Sequence, residues 1–241
     1  MVGAGGTVLV GAALWGKELY DFWKPRRIGV YGPPQVGKTT LDRYMTTPGE
    51  MEDLGDDQRT RHFKRLFGDG YVLPHPTRKR LRYDGSRRVV HSSDLGGDQK
   101  FWSLWIDDMV DRQVEGVVYM FDDRAKHGGS GAVDAVAGFE FLVDAIINRR
   151  YRYRRWKTRW KGKRYTPAYI LLVANKADRW WDEQASTLWQ QQRLREHKIF
   201  DPFRPAMIKL QKAGVVCRVS MMATRIGWNV EHTLIRMLAQ E

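Results

Sequence analysis

Residues 32 to 39 read Gly32-Pro33-Pro34-Gln35-Val36-Gly37-Lys38-Thr39 and fit the spacing G-x-x-x-x-G-K-[ST]. The chemistry of that spacing is phosphate binding. Backbone N–H groups of a glycine-flanked loop, and of the helix it opens into, surround the anion. Lys38 would neutralise the β and γ phosphates, and the Thr39 hydroxyl would ligate Mg²⁺, which prefers hard oxygen donors. Pro33 and Pro34 remove two N–H donors. Pro34 falls where the central amides of such a loop face the phosphates. A second tetrad, Asn175-Lys176-Ala177-Asp178, suits guanine recognition. A carboxylate at Asp178 can accept from guanine N1–H and the 2-amino group. Adenine offers no such donor pair and would leave the carboxylate unpaired. A third run, Asp94-Leu95-Gly96-Gly97, fits D-x-x-G, with Asp94 on Mg²⁺ and the Gly97 N–H reaching the γ-phosphate only when it is present.

These groups need elements to place them. Arg27-Ile-Gly-Val-Tyr31 reads as a short strand before the phosphate loop, and Thr40 to Met45 as a helix after it. Tyr169 to Ala174 is a wholly apolar run, as expected of a strand buried on both faces, and it ends at the Asn175 tetrad. Lys79–Tyr83 and Arg88–Ser93 flank Asp84-Gly85-Ser86 and predict an antiparallel hairpin. Val133 to Ile147 is strongly helical in pattern. The expected fold is α/β: a mostly parallel six-stranded sheet with one antiparallel hairpin strand and helices on both faces. Nucleotide would sit at the carboxyl ends of the strands.

The order of these motifs resembles that of Ras-superfamily small GTPases, most of all the ADP-ribosylation-factor-like and signal-recognition-particle-receptor β-subunit branch. The likeness is carried by Gly37-Lys38-Thr39-Thr40, by Pro76-Thr77 ahead of the hairpin, and by the stretch from Asp94 to Trp105, DLGGDQKFWSLW. It implies a GTP-dependent molecular switch with Mg²⁺. It gives Thr77 the place of a switch threonine that meets Mg²⁺ and the γ-phosphate. It also makes Ser220-Met221-Met222 the guanine-contacting loop, with a backbone N–H for guanine O6. The family pattern has a glutamine directly after D-x-x-G to orient the attacking water. Here Asp98 stands there and Gln99 follows. Gln99 taking the role by a one-residue shift, Asp98 acting as a poor substitute, and slow intrinsic hydrolysis completed by a partner all stay open. Slow hydrolysis is the favoured expectation. Arg124 and the arginines before the hairpin are candidate internal donors. A plain capping role for Asp98 on the next helix is a further alternative.

Composition adds bounds. With 241 residues, one α/β domain over residues 26–241 is expected, carrying insertions at about 46–76 and 149–165. The first insertion starts acidic and holds Phe63, Leu66 and Phe67 at a spacing that suits a short amphipathic helix. The single cysteine, Cys217, excludes an internal disulfide, and the six histidines form no zinc-spaced cluster. Forty-one Lys and Arg outweigh twenty-eight Asp and Glu, giving a net charge of +13. Much of that excess lies in residues 149–165, with ten Lys or Arg, no acid, and Tyr151, Tyr153, Trp156, Trp160 and Tyr165 interleaved. Such a stretch suits an anionic membrane surface or a nucleic acid. Residues 1–25 are apolar and then amphipathic, with a stripe at Leu14, Trp15, Leu19, Phe22 and Trp23. The uncharged part is shorter than the ~20 residues a spanning helix needs. Membrane contact and packing on the domain both fit it. A cytoplasmic location, with the cytoplasmic face of a membrane as its variant, follows as an expectation. Beside the GTPase reading stand two alternatives: a nucleotide-binding scaffold without turnover, and an RNA-associated GTPase.

Overall fold

The computed structural model describes residues 26–41, 64–66, 71–72, 89–91, 93–127, 130–148, 167–230 and 232–233. The N-terminal segment, Thr77, the 79–83 hairpin strand and the basic run at 149–165 lie outside the described residues.

Four six-residue strands make the frame: β1 (Arg26–Tyr31), β6 (Gly116–Phe121), β7 (Tyr169–Ala174) and β8 (Val216–Met221). They pair in parallel in the order β1-β6-β7-β8. Every residue of β6 and β7 is buried, which is why both read as unbroken apolar runs rather than alternating ones. Short strands extend the other edge: β2 (Lys64–Leu66), β3 (Tyr71–Val72), β4 (Val89–His91) and β5 (Ser93–Asp94). Both β4 and β5 run parallel to β1 in one register, Arg27 against His91 and Val30 against Asp94.

One expectation is corrected here. Among the described residues the strand path runs β2-β5-β1-β6-β7-β8, with β4 lying along the same edge of β1 as β5 and β3 paired to β4. Among the described residues the antiparallel partners of 89–94 are β3 on β4 and β2 on β5, both drawn from residues 64–72. The first insertion therefore contributes sheet edge, and Leu66 stands in a strand where a helix was expected. Edge pairing supplies backbone partners that a three-residue apolar spacing alone does not reveal.

Helices cover both faces. On one lie α1 (Trp102–Asp111), the short α2 (Arg124–His127), α3 (Ser130–Asn148) and α6 (Arg204–Lys212). Their apolar sides meet Val117, Tyr119, Phe121, Ile170 and Leu172 in the larger core. Phe121 packs on Phe203 at 4.3 Å between ring centroids, and Tyr119 on Phe139 at 5.0 Å. The other face joins Ile28, Val30, Val118, Met120, Leu171 and Val173 with Val36, Leu41 and Val230. Burying each such side chain contributes about 1.5–3 kcal/mol. Between β7 and β8 the chain also forms the short α4 (Ala177–Trp180) and α5 (Glu183–Gln190), the latter capped by the Asp182 carboxylate on the Ala185 N–H at 2.8 Å.

A buried polar knot ties α1 to β1. The Tyr31 hydroxyl donates to Asp108 Oδ2 at 2.8 Å, and Arg112 Nε donates to Asp108 Oδ1 at 2.6 Å. Arg112 Nη2 also reaches the Ile28 carbonyl at 3.1 Å. The knot fixes the end of β1, which leads straight into the phosphate loop. Cys217 lies in β8, where burial pushes its thiol up to about 12, so it stays protonated and inert at neutral pH.

Candidate functional site

The site forms where β1, β5, β6, β7 and β8 all end. After Tyr31 the chain turns through residues 32–37 and becomes helical at 38–41, so strand, loop and helix follow in the order the motif requires. Lys38 folds back over this loop. Its Nζ donates to the Gly32 and Pro33 carbonyls, both at 2.7 Å. Thr39 and Thr40 lie in the first turn of the helix, half-buried. Gly37 has φ +94°, and a Cβ there would fall 2.4 Å from Asn175 Nδ2, so both backbone and space demand glycine.

Asn175 is the fastener between motifs. It is fully buried, and its Nδ2 donates to the Val36 carbonyl at 2.7 Å and to Thr224 Oγ1 at 3.0 Å. Its Oδ1 accepts from the Thr224 N–H at 3.1 Å. One amide side chain thus joins the phosphate loop, the end of β7 and the loop after β8. Such fully satisfied buried polar groups fix a single arrangement. Lys176 follows with φ +54°, and Asp178 is exposed on α4. Trp180 Nε1 donates to the Asn175 carbonyl at 2.9 Å and steadies the turn.

The D-x-x-G run sits on the opposite side of the loop. Asp94 ends β5 beside Val30, two residues before Gly32. A Cβ on Gly97 would lie 2.3 Å from the Pro33 carbonyl carbon and 2.5 Å from both Gly32 O and Pro34 N. Only glycine lets this turn touch the loop. Both glycine carbonyls are held by indoles of α1: Gly96 O by Trp105 Nε1 at 2.9 Å and Gly97 O by Trp102 Nε1 at 3.2 Å. These two bonds tie the turn packed against residues 32–34 to α1.

Asp98 and Gln99 are both exposed. Asp98 occupies the N-cap position of the 3-10 turn Gln99–Phe101, yet its side chain makes no capping hydrogen bond, so the capping alternative loses its physical basis. Ser220 and Met221 close β8, and Met222 follows it. The Ser220 hydroxyl lies 2.9 Å from Thr233 Oγ1, facing the final described helix. The Met221 carbonyl accepts from Asn229 Nδ2 at 2.6 Å, and the Met222 N–H is donated to Ala174 O at 3.0 Å. Strand β8 continues through Met221, so these residues are occupied by the sheet and its cover. The loop that meets Asn175 comes next, at Thr224, and is closed by the Ala223–Trp228 bridge.

Two further residues enter that the motifs do not contain. Asp122, at the end of β6, is buried and accepts from Lys176 Nζ at 2.7 Å and from Arg124 Nε at 2.9 and 3.0 Å. Arg124 extends on to the phosphate loop, donating from Nη2 to Pro34 O at 2.9 Å and from Nη1 to Gln35 Oε1 at 3.2 Å. A charged residue directly after the wholly apolar β6 was the available signal for Asp122.

No protein-family model matches the chain, and no curated protein does. Among solved structures it is similar to a bacterial selenocysteine-specific elongation factor, EF-Sec, at 15% identity and a TM-score of 0.48, over 90% of this chain and 29% of that one. It is also similar to the Arl6 BBS3 small GTPase from Trypanosoma brucei with a bound nucleotide analogue, GppNp. That match has 14% identity and a TM-score of 0.42, over 90% of this chain and 98% of that one.

The Asp122 cluster has a measurable pH signature. Burial pushes the Asp122 carboxyl up, but the hydrogen bonds and charges of Arg124 and Lys176 outweigh it, and the net shift is downward. A carboxyl held lower in the folded chain stabilises the fold above its unfolded value, about 3.9, and loses that contribution as pH falls through the folded value. Asp122→Asn is expected to cost about 2–3 kcal/mol at neutral pH, less than a fully enclosed pair because Arg124 and Lys176 reach solvent. The difference between variant and wild type should begin to shrink at about pH 4 and close only below the lower, folded value. Urea denaturation at a series of pH values checks both points, and a pH-independent difference would exclude the carboxylate as its source.

Proposed function

We propose that this chain is a guanine-nucleotide-binding switch that binds GTP and hydrolyses it slowly. The observation that carries the reading is the Asn175 amide. It bonds the phosphate loop through Val36 O and the loop after β8 through Thr224, so the phosphate cradle and the base-reading tetrad form one site.

The chemistry follows from the residues there. Loop N–H groups and Lys38 hold the phosphates, with Lys38 leaving the Gly32 and Pro33 carbonyls to do so. Water attacks the γ-phosphorus in line. A new P–O bond forms, the bond to the β–γ bridging oxygen breaks with its electron pair leaving on GDP, and the water proton passes to the released phosphate. Thr39 and Asp94 carry hard oxygen donors of the kind Mg²⁺ takes, Thr39 in the first turn after the loop and Asp94 on the strand that pairs with Val30. When bound, Mg²⁺ would neutralise charge on the β and γ phosphates. Gly97, packed on the loop and tethered to α1, would report the γ-phosphate to that helix.

The second reading, a nucleotide-binding scaffold without turnover, has one observation in its favour: an exposed carboxylate, Asp98, where a neutral amide would orient water. Identification of the nucleotide retained on purification, followed by equilibrium titration and single-turnover hydrolysis, tests the set. The expected result is retained guanine nucleotide, preference for GTP over ATP, and slow phosphate release. Equal affinity for ATP and GTP would end the guanine reading. Guanine binding with no phosphate release would favour the scaffold.

A further inference from the structure

Arg124 places a cation where the phosphate loop lacks donors. Pro33 and Pro34 have no N–H, so the polar backbone groups of those two residues are carbonyl oxygens alone. The Arg124 guanidinium covers that gap, with Nη2 on Pro34 O and Nη1 on Gln35 Oε1. Its Nε is anchored to both oxygens of Asp122, a carboxylate that is 3% exposed, whereas the Arg124 side chain is 39% exposed. The inner end is fixed on Asp122 and the terminal nitrogens rest on the loop. Lys38 and Gly97 meet the same stretch, Lys38 on Gly32 and Pro33, Gly97 against Gly32, Pro33 and Pro34. Lysine, arginine and the D-x-x-G glycine therefore converge on residues 32–35, the part of the loop nearest the proposed γ-phosphate.

We propose that Arg124 serves as an arginine supplied in cis to the γ-phosphate, its terminal nitrogens passing from Pro34 O and Gln35 Oε1 to phosphate oxygens when GTP binds. The inference rests on the GTP reading above and extends it. Exchanging neutral oxygens for anionic ones favours the move, because charge-assisted hydrogen bonds are roughly twice as strong. The planar guanidinium matches two phosphate oxygens at once. In the hydrolytic step the guanidinium stabilises charge building on the γ-phosphate and the bridging oxygen, and it transfers no proton.

The test is single-turnover GTP hydrolysis by the full chain, with Arg124→Ala and Arg124→Lys, alongside GDP affinity. Arg124→Lys retains a cation for Asp122 and guards against a folding defect, but lacks the two terminal donors. Both variants are expected to hydrolyse GTP on the order of 10²-fold more slowly, the usual cost of removing one such donor. GDP has no γ-phosphate for Arg124 to meet, so its affinity should stay within about threefold, less than one ordinary hydrogen bond. Wild-type chain should also form a complex with GDP and aluminium fluoride without any partner, and Arg124→Ala should not. Hydrolysis at the wild-type rate in both variants overturns the inference. So does an equal loss of GDP and GTP affinity, which would make Arg124 a structural latch. A wild-type chain that binds GTP but hydrolyses it no faster than Lys38→Ala overturns the inference and leaves the binding reading standing. Absence of guanine-nucleotide binding removes that reading itself.

Discussion

Replacing Lys38 by alanine is expected to weaken GTP binding by at least about 100-fold while leaving the chain folded. Each charge-assisted hydrogen bond to phosphate contributes about 1.5–3 kcal/mol net, and about 1.4 kcal/mol corresponds to tenfold in affinity. In this structure Lys38 starts on two loop carbonyls, Gly32 O and Pro33 O, each at 2.7 Å. Binding therefore exchanges two neutral acceptors for anionic ones, and the net gain is smaller than the gross phosphate interaction. That exchange sets the lower bound given. Pro33 and Pro34 make the loss harder to absorb, because the loop has fewer N–H groups to share the load. Equilibrium titration with a fluorescent GTP analogue measures the effect, and a thermal melt of the nucleotide-free variant checks the fold. Lys38→Ala that binds GTP within about threefold of wild type would remove the phosphate loop from its proposed role.

The parts of this arrangement that could be read from the sequence are those where one local rule decides. Tyr169–Ala174 is apolar throughout because both faces are covered, and its boundaries as a strand match the apolar run. The loop at 32–37 follows from glycine spacing, and the predicted helical stretch at 133–147 lies within α3, Ser130–Asn148. Long-range pairing was not legible. Nothing local in Lys64–Leu66 or Tyr71–Val72 announces that they join residues 89–94 at the sheet edge, since register there is set by partners 17 to 30 positions away.

The site shows the same division. Lys38, Gly37, Asn175 and Gly97 lie within motifs, and their spacing exposes them. Asp122 and Thr224 act through contacts made across the fold, to Lys176 and to Asn175. No spacing rule links residues 54 and 49 positions apart. Ser220 illustrates the converse: its place in sequence suits a base-contacting loop, but β8 runs on past it to Met221 and turns its hydroxyl to Thr233. Strand length, set by the β7 partner through Ala174, decided which residues were left for the loop.

Asp178→Asn is expected to invert base preference: weaker GTP binding and a gain of xanthosine triphosphate binding, a change in their ratio on the order of 10³. The reasoning starts from what is fixed around the residue. Asn175 is locked by three hydrogen bonds, Lys176 by Asp122, and the Ala177 N–H by the Met222 carbonyl at 3.1 Å. Those three positions set the course of the backbone, and Asp178 follows at the exposed start of α4. Its carboxylate offers only acceptors, matching the N1–H and 2-amino donors of guanine. Xanthine keeps N1–H but carries a carbonyl oxygen in place of the amino group. An asparagine amide can accept from the first and donate to the second, whereas a carboxylate would repel that oxygen. The substitution removes no contact that holds Asn175, Lys176 or Ala177, so the loss should be confined to the base. Competition titrations with GTP and xanthosine triphosphate measure the ratio, and the nucleotide-free melting temperature should stay unchanged. Unchanged GTP affinity in Asp178→Asn would show that the base is read elsewhere, and the loop at Ala223–Trp228, already joined to Asn175 through Thr224, would then be the place to look.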